Sequence, residues 1–127
     1  MRYLFVSVIT TWLLSSALGA SDPFKDVQVP AVVDPLSKNN SIFFSIAGRH
    51  VNLELCDSDQ VPGVSVSLTV QQSRNEVESG KPTRIWDFVG VLNVDESAPS
   101  NFNLIWCTSD LQATTVWQRS TPVSIRN

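Results

Sequence analysis

From Val64 to Gln71 every second side chain is apolar. Val64, Val66, Leu68 and Val70 alternate with Ser65, Ser67, Thr69 and Gln71. A strand turns successive side chains to opposite faces, so this spacing suits a half-buried strand and no helix. The same period recurs at Ile42, Phe44 and Ile46, at Val51, Leu53 and Leu55, and at Phe102, Leu104 and Trp106. Beyond the first twenty residues, apolar positions never keep helical spacing over three turns. Glycine and proline fall at the breaks. This pattern predicts an all-β chain of about seven short strands, folded as a small immunoglobulin-like β-sandwich. A small closed barrel is the alternative.

The strands can be placed in outline. Val27 and Val29, or Val32 and Val33, offer a first edge strand among Pro23, Pro30 and Pro35, because an edge tolerates proline. Ile42–Ile46 and Val51–Leu55 read as a hairpin about Gly48-Arg49. Asn75 to Pro82 reads as a polar loop. Ile85 to Val94 is apolar on both faces, as a central strand is, with a bulge or bend expected near Gly90. Thr114–Trp117 and Val123–Ile125 complete the set.

The front of the chain differs from the rest. Arg2 precedes an apolar run, and Ser15 to Ala20 are small residues followed by polar sequence. This is the pattern of a secretory signal peptide over residues 1–19. The apolar run is shorter than the about 20 residues a membrane-spanning helix needs. No hydrophobic tail for a lipid anchor ends the sequence. The expected product is secreted and extracellular, with no membrane anchor. It comprises a lead-in at 20–40 and one sandwich domain at 41–127.

Without Arg2 the chain keeps eight basic and twelve acidic side chains, a net charge of −4. That balance argues against a nucleic-acid partner or an anionic lipid surface, both of which select a basic footprint. Secretion makes a disulfide between Cys56 and Cys107 reasonable. Strand phase says where it lies. Cys56 shares its parity with Asn52 and Glu54, and Cys107 shares its parity with Asn103 and Ile105. Both cysteines fall off the inferred core face. The bridge should pin strand ends at the rim or join neighbours across an outer face, not cross the sandwich centre. Asn39-Asn40-Ser41 is an N-glycosylation triplet, so Asn39 is a candidate glycan acceptor.

Reactive chemistry is sparse. His50, the single histidine, sits in the Gly48-Arg49 turn and is expected in solvent. No G-x-S-x-G elbow accompanies any serine. Asp57-Ser58-Asp59 opens like a calcium loop, but Pro62 stands where the loop requires glycine. A zinc site needs more Cys or His than the chain has. Glu76 with Glu78, and Asp95 with Glu96, read as solvated loop charges. No catalytic residue, metal site or cofactor is assigned. The candidate binding residues are Trp117 beside Arg119, and His50 with Arg49. Trp117 reads as exposed, with Val116 in the apolar phase; the competing reading packs it under the N-terminal segment.

The signal sequence, domain size, two cysteines and strand-rich pattern resemble small secreted fungal effector-like proteins. The stretch Asn103-Leu104-Ile105-Trp106-Cys107 through Val123-Ser124-Ile125 is similar to the immunoglobulin-like module of fungal Kre9/Knh1-type cell-wall proteins. It covers about a quarter of the chain and transfers no functional residue; the serine/threonine-rich tail of such wall proteins is absent. The resemblance implies a non-enzymatic interaction protein, a virulence effector acting through loops or an edge strand on a host or other extracellular protein. A carbohydrate- or cell-wall-binding module with a polysaccharide partner, and a small secreted hydrolase, are the alternatives.

Overall fold

The computed structural model describes residues 22–37, 40–56, 61–110 and 116–126. Residues 1–19, read above as a signal peptide, and Asn39, Asp57 and Asp59 lie outside the described residues. Within them the chain forms eight strands: β1 (Phe24–Gln28), β2 (Val32–Val33), β3 (Asn40–Ala47), β4 (Val51–Leu55), β5 (Val64–Glu78), β6 (Lys81–Val94), β7 (Asn101–Asp110) and β8 (Val116–Ile125). They make two four-stranded sheets, ordered β1-β3-β6-β5 and β2-β8-β7-β4. The first order is the A-B-E-D layer of a constant-type immunoglobulin domain. In the second, β4, β7 and β8 take the places of C, F and G. Both alternatives for the first edge strand are realised, the earlier one as Phe24–Gln28. β1 borders the first sheet, and the chain then crosses at Pro30 so that β2 pairs in parallel with β8.

The inward side chains follow the predicted parity. Phe44, Ile46, Leu92, Leu104 and Trp106 are fully buried, and they join Phe24, Ile42, Leu53, Phe88, Phe102 and Val123 in one core cluster. Phe44 of β3 meets Trp106 of β7 with ring centroids 4.6 Å apart. This aromatic pair spans the B and F positions, where antibody domains place their inter-sheet disulfide. Trp106 remains satisfied because its Nε1–H donates to Thr121 Oγ1 at 2.9 Å.

The disulfide lies where strand phase put it. Cys107 pairs in register with Glu54 on the outer face of the second sheet, and Cys56 follows one residue beyond Leu55. The bridge joins adjacent strands β4 and β7, with Cα atoms 5.4 Å apart and a sequence separation of 51. Closing a loop of that size contributes about 4 kcal/mol in the chain-entropy model. Cys107 is not at a strand end, since β7 runs on to Asp110.

Three local expectations are corrected. β3 and β4 are no hairpin: β3 pairs with β1 and β6, and β4 pairs with β7 in the other sheet. The Gly48–His50 turn therefore carries the chain between layers. Residues 75–82 are no loop. β5 and β6 continue as a paired ribbon to Glu78 and Lys81, closed by Ser79 (φ 52°) and Gly80 (φ 78°). Two successive left-handed residues are what a tight two-residue hairpin turn requires. The bulge is on β5, between Val70 and Gln72, not at Gly90. Gly90 has another reason to be glycine: a Cβ there would strike the Ser67 carbonyl of the neighbouring strand.

Candidate functional site

β3 ends at Ala47, opposite Ile85. The β5–β6 ribbon continues past that level, with Asn75 opposite Arg84, Val77 opposite Pro82 and Glu78 opposite Lys81. It overhangs the end of the sandwich that also holds the Gly48–His50 turn. The bulge reverses strand parity on β5. Before it, Val66, Leu68 and Val70 share the core face. After it, Gln72, Arg74, Glu76 and Glu78 turn to the outer face, while Ser73, Asn75 and Val77 turn inward over open solvent.

The root of the overhang is held by charge. Asp87 is 2% exposed on the outer face. Its Oδ1 accepts from Ser45 Oγ at 2.7 Å, and its Oδ2 accepts from Gln72 Nε2 at 2.8 Å. Arg74 grips both oxygens, Nε at 3.0 Å and a terminal nitrogen at 3.3 Å. The Arg74 hydrogen bond is the largest influence on Asp87. Against the opposing cost of burial, and with help from Ser45 and Gln72, it holds the carboxyl down at about 2. Arg74 also pairs with Glu76, and Lys25 of β1 reaches Glu78 at 3.1 Å. Glu76 and Glu78 are thus strand residues in ion pairs, not solvated loop charges.

The other side of the ribbon is arranged differently. Trp86 donates from Nε1 to the Gly48 carbonyl at 2.9 Å, which ties the ribbon to the inter-sheet turn. The Gly48 N–H answers by donating to the Arg84 carbonyl at 3.0 Å. The Arg84 guanidinium stands over the Trp86 ring at 5.8 Å and donates to Ser73 Oγ at 3.2 Å. Arg49, His50, Lys81 and Arg84 are all exposed. None of these four forms an ion pair among the described residues. Val77 shares the inward face of the ribbon with Arg84 and is 74% exposed, while Lys81, paired with Glu78, lies on the outer face at the ribbon's tip. The result is a basic, partly apolar surface carried on a rigid ribbon.

Cations are unevenly placed along the sandwich, although Asp22, Glu76, Glu78 and Asp87 share the ribbon's end with them. Of the seven described lysines and arginines, only Arg126 belongs to the opposite end. There a crevice of about 610 Å³ is lined by Asp34, Asp95, Glu96 and Arg126 beside Leu36 and Ile125. Asp95 accepts from the Ser97 hydroxyl and amide, which hold its carboxyl below the usual range. A second groove, about 460 Å³, flanks the disulfide between Asn52, Glu54, Ser109 and Gln118.

The sequence-derived candidates separate in space. Arg49 and His50 stand in the turn beneath the ribbon, exposed as expected. Trp117 does not present an open face. It lies opposite Thr108 on the inward side of β8, half-buried against the core, whereas Val116 points outward at 56% exposure. The apolar phase assigned to this strand start was therefore one residue off. Arg119 shares the inward side and covers the N-terminal segment. Its guanidinium lies 5.2 Å from the centre of the Phe24 ring and meets Asp22 at 2.9 Å. Arg119 thus meets the N-terminal segment, while Trp117 packs against the core cluster. Lys81, Arg84 and Val77 escaped notice because their segment reads as a loop; the Ser79-Gly80 turn dipeptide was the available signal. No group of three or more metal-ligating side chains occurs among the described residues. No family model matches the chain, nor does any curated protein or solved structure.

Proposed function

We propose that this chain is a secreted, non-enzymatic interaction module whose overhanging ribbon docks on an acidic surface of an extracellular protein. The observation that carries this reading is a set of exposed cations with no ion pair among the described residues at this end of the sandwich: Arg84 beside exposed Val77 and over Trp86, Arg49 in the turn beneath, and Lys81 at the ribbon's tip. Arginine and aromatic side chains are the residues that most often anchor interfaces. A cationic surface on an otherwise acidic protein steers an acidic partner toward one end. The two strands of the ribbon pair in register as far as the turn and its root is pinned at Asp87, so little ordering cost remains to oppose binding. The disulfide accords with an extracellular setting. In the setting implied by the likeness to fungal effectors, the partner belongs to a host.

The test is capture from extracellular fluid by the oxidised chain. A protein retained by the native chain, eluted by salt and lost with the Arg49→Glu, Lys81→Glu, Arg84→Glu variant supports the reading. Retention unchanged by that charge reversal overturns it. Retention on insoluble glucan or chitin in place of a protein replaces it with the wall-binding alternative.

A further inference from the structure

We infer that two copies of this chain join through β5, in an antiparallel pair centred on Ser67. β5 is the edge of its sheet, and among the described residues only β6 pairs with it. Natural edge strands carry charge, proline or a bulge to prevent pairing. β5 has these protections only beyond Val70, as the bulge before Gln72 and the charges of Arg74, Glu76 and Glu78. From Val64 to Val70 the edge has neither charge nor proline, and Val70 is 51% exposed.

That stretch is its own complement. Turned antiparallel on a second copy about Ser67, it sets Val64 opposite Val70 and Val66 opposite Leu68 on the inner face. Ser65 comes opposite Thr69, and Ser67 faces itself, on the outer face. A one-residue slip would set aliphatic against hydroxyl side chains throughout, and a two-residue slip would keep the faces but shorten the match, so the register about Ser67 is the one that pairs the whole stretch from Val64 to Val70. Aliphatic pairs and hydroxyl pairs are favourable cross-strand neighbours, and no like charges meet. Both ends of the match are closed. Further pairing in this register would set Gln72 opposite Pro62, which has no amide hydrogen to donate, and Gln71 is the bulged residue. The same surface serves both subunits, so the contact is isologous and stops at two. The two four-stranded sheets become one sheet of eight, and the antiparallel axis sends the two ribbons to opposite poles. This assembly is independent of what the ribbon binds.

The test is the mass of the purified, disulfide-intact chain by sedimentation equilibrium, with circular dichroism confirming the fold of each variant. A concentration-dependent dimer is expected. Ser67→Lys places two ammonium groups face to face and should yield a monomer. Ser120→Lys, on the exposed outer face of the other sheet, should leave the dimer intact. Under mild oxidation Ser67→Cys should link to its own copy, and peptide mapping should find that bond with Cys56–Cys107 preserved. Ser65→Cys, facing Thr69, should not link. A native chain that stays monomeric across its soluble range overturns the inference. So does a dimer that survives Ser67→Lys, or linking that is equal at Ser65 and Ser67.

Discussion

The two halves of the β5–β6 hairpin are continuous in backbone and different in cause. Between Val64 and Val70 the ribbon lies on the sandwich, and the inward side chains Val64, Val66 and Leu68 pack against the core cluster. Beyond the bulge no described β5 side chain packs against the core cluster, and Val77 faces solvent. The first half is a strand because burying its alternate residues is favourable. The second is a strand because its turn is pre-shaped and its root is fixed by a satisfied ionic cluster. Ladder hydrogen bonds alone contribute modestly, so a bare two-stranded ribbon needs such anchoring. The first half supplies stability, and the second supplies an exposed surface whose composition is free to serve recognition.

The largest difference between the halves should appear under the sandwich. Phe44→Ala removes the ring that packs on Trp106 and should cost about 3–5 kcal/mol of unfolding free energy, read by denaturant melts. A cost near that of a surface change would mean that the aromatic pair does not centre the core.

An intermediate effect is expected at the junction. Asp87→Asn keeps the shape but removes the charge that Arg74 grips, at a cost of about 2 kcal/mol. The pH dependence has a defined sign. The folded carboxyl titrates near 2, below its ordinary value of 3.8. Its stabilisation is therefore complete above about pH 4 and is lost as pH falls toward 2. The native protein should lose stability through that window, and its advantage over the Asp87→Asn variant should close with it. A gap that persists unchanged at pH 2 would remove the ionic account of the ribbon's root.

The smallest effect belongs to the overhang. Val77→Ser deletes an apolar side chain that covers nothing and should shift stability by no more than about 0.5 kcal/mol. A larger loss would show that the ribbon end packs on something within the chain, and the contrast between the halves would fall.

Alternation alone located the interior of this protein. Phe102, Leu104 and Trp106 point inward, the cysteines of β4 and β7 point outward, and the bridge joins neighbours in one sheet, all as parity implies. Parity states which side of a strand is dry, and that information is local. It does not state which strands are neighbours. Ile42–Ile46 and Val51–Leu55 look like a hairpin, yet Gly48–His50 carries the chain to the other layer, because each strand finds its pairing surface from distant segments. The overhang was hidden for a related reason. Its side chains meet water on one face and ion pairs on the other, so residues 73–84 carry no apolar rhythm to mark a strand. Trp117 shows the same limit on a smaller scale. With only Val116 and Trp117 as apolar markers at the start of β8, either phase suited the letters, and the core selected the one that buries the larger ring.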